Sequence, residues 1–287
     1  MTELSARGSH RALITGASSG LGMAFSERLA SKGHNLVLVA RRVSRLQDVA
    51  QRLRTAYGVH IEVLGADLND NAALSKVENF IANSNDITLL INNAGFAGYY
   101  PFASVEPSVI DELIAIHIRA VTRIARAVLP GMVSRRQGGI INISGLLALA
   151  SNLPPTPLPP RAVYAGAKAY ILAFTQTLAG ETKGTGVRVQ VCIPGRIETD
   201  FHAAQGLDTS KQPPAMSADD VVTASLAALE DDEIVCIPGL ADPALYDALN
   251  NAQLMVFRTS AMQSRCAERY RSVAIFKPPK GDSSDVG

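Results

Sequence analysis

Tyr164 and Lys168 stand four positions apart in the run Tyr164-Ala-Gly-Ala-Lys168, so on a helix the phenol and the ammonium share one face. A free tyrosine, with a pKa of about 10, is a poor acid–base group near neutrality. A cation one helical turn away stabilises the phenolate and brings the phenol closer to a useful range. The pair is therefore a candidate proton relay, with Tyr164 as acid–base and Lys168 as its electrostatic partner. Such spacing also arises by chance on helix surfaces, so its chemistry depends on what the chain sets beside it.

A second group of residues suits phosphate. Thr15-Gly-Ala-Ser-Ser-Gly-Leu-Gly22 lies between a short apolar run and a helical pattern. Gly16 permits a tight turn, while Gly20 and Gly22 let backbone approach a pyrophosphate and let helix pack on strand. Ser18, Ser19 and Leu21 complete the cradle, and the helix N-terminus adds free N–H groups and partial positive charge. The second apolar run ends Val39-Ala40-Arg41-Arg42, with no acid at its tip for ribose hydroxyls. Arg41 can pair bidentately with a 2′-phosphate and Arg42 can stack or assist, so NADP(H) is the expected dinucleotide. Asp67 and Leu68 suit the adenine rim, although Asp67 to Asp70 would equally serve as a helix N-cap region. In Asn92-Asn-Ala-Gly95, Asn93 can tie neighbouring strands through its amide, and Ala94 and Gly95 leave room for a ribose.

These residues need elements to position them. Apolar runs at Arg11–Thr15, Asn35–Val39, His60–Leu64, Ile87–Ile91, Gly139–Ile143, Val187–Cys192 and Ile234–Ile237 alternate with helical patterns. The helical patterns include Gly20–Lys32, stopped by Gly33, together with Arg42–Ala56 and Asp111–Ser134. Apolar strands without polar alternation, each followed by a helix, predict a doubly wound α/β fold. Its mostly parallel sheet is buried on both faces. Such sheets bind ligands at the carboxyl ends of their strands, where the motifs above fall.

The chain has 287 residues, 47% hydrophobic and 18% charged, with 27 basic and 26 acidic residues and a formal net charge of +1. One domain of roughly 200–250 residues with an extension fits that length. We expect residues 1–276 to be a single Rossmann-like domain, with a family core over about 9–240, a helical extension over 241–276 and a disordered tail over 277–287. The charge balance offers no electrostatic reason to expect nucleic acid or an anionic membrane as partner. Cys192, Cys236 and Cys266 lack knuckle or redox spacing, and no metal is expected. Met1 to His10 carries no apolar signal core, and a cytoplasmic location is the default expectation.

Taken together, Thr15–Gly22, Asn92–Gly95, Tyr164–Lys168 and Pro194-Gly195 followed by Thr199 resemble the short-chain dehydrogenase/reductase family, in order and approximate spacing, over about residues 9–240. The resemblance implies a Rossmann-like, seven-stranded parallel sheet and hydride transfer at nicotinamide C4, with tyrosine exchanging the proton. It also implies that Pro194, Gly195, Ile197 and Thr199 border the nicotinamide, and that Arg41 marks the NADP-preferring variant. A homodimer or homotetramer acting on a small-molecule carbonyl or alcohol substrate fits the same family.

Two positions depart from the family. Gly145 falls where a serine normally binds the substrate carbonyl. Ser144 is one residue early, and neighbours on a strand point to opposite faces unless a bulge or turn redirects one. Ser151 is a further possible donor. His117 replaces an asparagine whose backbone carbonyl holds a relay water; any residue retains that carbonyl, and the imidazole could alternatively donate a proton itself. Losing the serine leaves a rival expectation, a catalytically impaired NADP-binding sensor or interaction protein of the same fold.

On the substrate side, Asn152–Pro160 is proline-rich and lies beside Leu146, Leu147, Leu149 and Leu153, which suggests a hydrophobic substrate. Residues 197–216 suit a lid. Asp242-Pro243 reads as a cap followed by helix, with Leu245, Leu249, Leu254, Met255 and Phe257 available to pack.

Overall fold

The computed structural model describes residues 10–153, 160–199 and 214–271. The chain divides into two compact units, 1–239 and 240–287.

The first unit is a sheet of seven parallel strands: β1 (Arg11–Thr15), β2 (Asn35–Ala40), β3 (Ile61–Gly65), β4 (Ile87–Asn92), β5 (Gly138–Ile143), β6 (Val187–Cys192) and β7 (Val235–Cys236). Their order in space is β3-β2-β1-β4-β5-β6-β7. Side chains alternate across this sheet, and both faces are apolar. Ala12, Ile14, Leu36 and Leu38 look one way, onto α1 (Gly20–Ser31), α2 (Val43–Tyr57) and α7 (Ala218–Glu230). Leu13, Val37, Val39 and Leu90 look the other way, onto α3 (Asn71–Ala82) and α5 (Val121–Arg135). Each fully buried Leu or Ile contributes about 1.5–3 kcal/mol of transfer free energy, so neither layer of helices can detach cheaply.

After β3 the chain crosses over β1 to place β4 on its other side. At this reversal the loops following β1 and β4 diverge, leaving a crevice at the strand ends. Two further helical segments carry the chemistry. The helix α4 (Pro107–Ile114) runs into α5 through a π-helical turn at Ala115–Ala120, and α6 spans Ala162–Glu181. The single helix expected from Asp111 to Ser134 thus contains a widened turn, placed at His117.

In the second unit, α8 (Ala244–Ala261) begins one residue later than the expected proline start. Pro243 is its cap residue, and the Asp242 carboxylate accepts from the Ala244 N–H at 3.0 Å. None of its residues is buried, and Met255, Val256 and Phe257 are about two-thirds exposed. The apolar residues expected to pack therefore face outward. The tail expected over 277–287 lies outside the described residues. Among the described residues no helix is long and apolar enough to cross a membrane.

Candidate active site

The glycine-rich turn is shaped by close backbone approach. Gly16 takes φ +68°, and a Cβ on Gly22 would stand 2.4 Å from the Gly16 carbonyl oxygen. Only glycine allows that contact. Ser19 is the N-cap residue of α1, yet its side chain makes no cap hydrogen bond and the first turn holds no acidic residue. The Ser18 and Ser19 hydroxyls instead accept from the Arg42 guanidinium at 3.1 and 2.9 Å. The result is a helix N-terminus whose amides are left for an anion, with a guanidinium over the loop. A dinucleotide diphosphate fits this arrangement.

The two arginines divide differently from the sequence expectation. Both are exposed; Arg42 lies against the loop, while Arg41 faces Asp67 at 3.7 Å. Asp67 also accepts from the Asn69 N–H, and Asp70, not Asp67, caps α3 through the Ala73 N–H at 2.7 Å. Leu68 is buried beneath this rim.

Asn93 stitches the crevice together. Its side-chain amide donates to the Thr15 carbonyl at 2.9 Å, and the backbone N–H groups of Asn93 and Ala94 donate to the Thr15 hydroxyl. Behind it, Asn92 donates to Asn142, which donates to Thr175 on α6. This buried polar chain couples the helix carrying the phenol to the end of the sheet. Gly95 is pressed against His117, where a Cβ would meet the imidazole at 2.4 Å.

Tyr164 and Lys168 are both buried on α6, with the ammonium 5.4 Å from the centroid of the phenol ring. The Lys168 Nζ donates to the Ile143 carbonyl at 3.3 Å. In the protein alone, burial dominates both groups: it raises the Tyr164 phenol, with the neighbouring Tyr99 adding to the effect, and lowers Lys168 to about 7. The phenol is therefore held protonated, as a proton donor requires. The phenolate stabilisation expected from the lysine does not outweigh burial in the ligand-free protein.

His117 meets Tyr164 edge-on, with ring centroids 5.2 Å apart, and its Nε2–H donates to the Phe96 carbonyl at 2.8 Å. Burial, reinforced by the Lys168 charge, pushes its pKa well down. A neutral imidazole with its N–H already committed is poorly suited to protonating a substrate. The π-helical turn around it loosens the regular backbone ladder, a frequent feature of functional sites.

Ser144 is turned away from the crevice. Its hydroxyl donates to the Lys168 carbonyl at 2.8 Å, so no bulge redirects it toward a substrate. Gly145 is extended, at φ 167°, and among the described residues a Cβ there would meet only the Pro194 carbonyl oxygen, at 3.8 Å. Ser151 is exposed in a turn, and residues 154–159 of the proline-rich segment lie outside the described residues. On the far wall, Pro194 is buried, and its carbonyl accepts from the Leu146 N–H at 3.1 Å. Thr199 packs across from Gly20, where a Cβ would lie 3.3 Å from its methyl group. Ile197 pairs with Met216, so the two ends of the expected lid are joined, although residues 200–213 lie outside the described residues.

Tyr99 escaped sequence reasoning. It stands edge-on to Tyr164, with centroids 5.6 Å apart. The only signal was an aromatic residue four positions beyond Gly95.

The sequence pattern of the short chain dehydrogenases matches residues 10–209. Very-long-chain 3-oxoacyl-CoA reductase of Mus musculus is 32% identical over 198 residues, covering 68% of this chain and 61% of that protein. Inactive hydroxysteroid dehydrogenase-like protein 1 of Homo sapiens is also 32% identical, over 194 residues, covering 67% of this chain and 57% of that protein. The chain thus spans about three-fifths of the length of such curated relatives. Among solved structures, a short-chain dehydrogenase from Sphingobium yanoikuyae in complex with NADPH superposes with a TM-score of 0.85 at 37% identity, covering 91% of this chain and 99% of that one. A bulky-bulky ketone specific alcohol dehydrogenase from Comamonas testosteroni gives 0.81 at 33% identity, covering 91% of this chain and 98% of that one.

Proposed function

Since this chain belongs to the short-chain dehydrogenase/reductase family, we propose that it is an NADP(H)-dependent oxidoreductase interconverting a bulky, apolar carbonyl compound and its alcohol. The observation that carries this reading is the pairing on α6 of a buried Tyr164 with Lys168, whose Nζ lies 5.4 Å from the centroid of the phenol ring. A pure binding module would have no use for such a phenol.

When bound, the nicotinamide supplies or accepts a hydride. The chain's own groups do the rest. The Gly16–Gly22 turn and the uncapped start of α1 hold the diphosphate, and Arg42, poised over Ser18 and Ser19, takes the 2′-phosphate. Asn93 and Thr15 fix the crevice floor, while Pro194, Gly195, Ile197 and Thr199 would border the nicotinamide. Tyr164 gives its proton to the substrate oxygen in the reducing direction, and Lys168 orients the ribose and supports reprotonation of the phenol.

NADP(H) is supported by Arg42 and by the NADPH complex of the Sphingobium relative. A bulky apolar substrate is supported by the leucines at 146, 147, 149 and 153 and by the ketone specificity named for the Comamonas relative. The test is to follow NADPH absorbance with a panel of carbonyl compounds. Oxidation of NADPH by bulky ketones, lost in Tyr164→Phe, is the expected result; preference for small anionic substrates would remove the apolar assignment.

A second reading, an impaired NADP-binding sensor or interaction protein, draws on Gly145, on the turned-away Ser144 and on a relative described as inactive. NADPH binding without turnover of any carbonyl would favour it.

A further inference from the structure

Two thiols that the chemistry above does not use are brought together by the sheet. Cys192 ends β6 and Cys236 ends β7; the two are far apart in the chain, with none of the spacing of a redox motif. The parallel register sets Cys192 directly opposite Cys236. Both are buried, free cysteines, and their side chains lie in the same apolar layer with Val221 and Leu226 of α7. The two thiols hydrogen-bond to each other. The backbone is fixed here from two sides. The Ile193 N–H donates to the Cys236 carbonyl at 2.7 Å, and the Cys192 carbonyl accepts from the Ser144 N–H at 2.8 Å.

Neighbouring strands lie about 4.8 Å apart, inside the roughly 4.4–6.8 Å between Cα atoms that a disulfide spans. Partners in parallel register also point their Cβ atoms the same way, which brings sulfur to sulfur without turning either strand. We infer that Cys192 and Cys236 form a reversible disulfide when hydrogen peroxide, a small two-electron oxidant, reaches them, making a redox-sensitive clasp between β6 and β7. β7 is a two-residue strand at the edge of the sheet, so access needs little local opening. The Cys192 thiol donates to the Cys236 sulfur, which lowers the Cys236 pKa; the same bond, with burial, raises that of Cys192. The thiolate therefore forms on Cys236. That sulfur attacks one peroxide oxygen, the O–O bond breaks, and the departing hydroxide takes a proton to leave as water. The resulting sulfenic acid is displaced by the Cys192 sulfur, whose proton leaves with the hydroxyl as a second water. In sum, two thiols and one peroxide give one disulfide and two waters. Cβ atoms at strand spacing stand wider than the mean of about 3.8 Å across a relaxed disulfide. The bond thus closes under strain, and a thiol reductant opens it readily. It lies two residues before Pro194, where the chain leaves the sheet for the far wall of the crevice.

The test maps thiols in the full chain and in Cys266→Ser, which removes the exposed third thiol. Each protein is treated while folded with hydrogen peroxide, then unfolded in an alkylating reagent and digested for mass spectrometry. The expected result in both is a cross-linked peptide joining Cys192 to Cys236, with loss of both free thiols and their return after dithiothreitol. Cys236→Ser should give no cross-link and leave Cys192 open to alkylation at the same peroxide dose. Should that variant fail to fold, the wild-type map decides alone. Alkylation of both Cys192 and Cys236 in wild type, at a dose that has oxidised Cys266, overturns the assignment. So does oxidation of either buried thiol to sulfinic or sulfonic acid without the cross-link. No readout depends on turnover or on bound cofactor, so the outcome stands apart from the oxidoreductase reading.

Discussion

The hydroxyl of Ser144 donates to the backbone carbonyl of Lys168 across 2.8 Å, pinning the end of β5 to the first turns of α6. This buried bond acts on stability and position rather than on the substrate. Ser144→Ala should therefore cost about 1 kcal/mol in a denaturant titration, the net worth of one hydrogen bond, because helix bonding still satisfies the Lys168 carbonyl. Turnover should stay within severalfold of wild type. Loss of turnover at unchanged stability would return Ser144 to the chemistry.

Tyr164→Phe removes one hydroxyl and little volume. Turnover should fall by at least about 10²-fold, the scale of general acid catalysis. NADPH affinity should be retained. Stopped-flow absorbance and fluorescence titration separate the two; weak cofactor binding with preserved activity would contradict the role given to the phenol.

Arg42, tied to both loop serines, should matter more to NADPH than Arg41, whose exposed pairing with Asp67 is a weak surface contact. Arg42→Ala should weaken NADPH binding by about 1.5–3 kcal/mol, the range for a charged hydrogen-bonding partner, and NADH binding far less. Calorimetry on the two variants decides it, and a larger loss from Arg41→Ala would restore the sequence-based order.

Gly22 sits within α1, where alanine would ordinarily gain about 0.5–1 kcal/mol over glycine. Its Cβ would meet the Gly16 carbonyl oxygen at 2.4 Å and the Asn93 amide at 2.6 Å. Overpacking of this kind costs about 1–3 kcal/mol, so the clash wins. Gly22→Ala should melt lower and bind NADPH poorly; a higher melting temperature would show that the turn is looser than described.

Lys168 gives the cofactor-free protein a pH signature. Its folded pKa of about 7 lies below its ordinary 10.5, so between those values the unfolded chain holds a proton that the folded chain has released. Stability therefore rises with pH across that window. Tyr164, raised by burial, acts oppositely only above pH 10, where unfolded phenols ionise. Denaturant midpoints should climb from about pH 7 to 10 and flatten in Lys168→Met, and an unchanged slope in that variant would assign the effect elsewhere.

Much of the fold was legible in the sequence because its signals are local. Apolar runs buried on both faces marked each strand to within a residue or two, and the glycines of Gly16–Gly22 announced a turn that only they can make. Tyr164 and Lys168 were legible together because a helical turn sets their relation without reference to anything distant. Local pattern says nothing about which way a side chain turns once several elements compete for it. Ser144 could have faced the crevice, and the packing of α6 against β5 drew its hydroxyl to Lys168 instead. Arg42 rather than Arg41 came to lie over the cradle because the start of α2 aims adjacent side chains in different directions. His117 was drawn into the space beside Gly95, and Tyr99 came to lie against Tyr164 from 65 positions away in the chain. Contacts of that separation arise only when the sheet closes, and burial then sets the protonation of the groups they enclose.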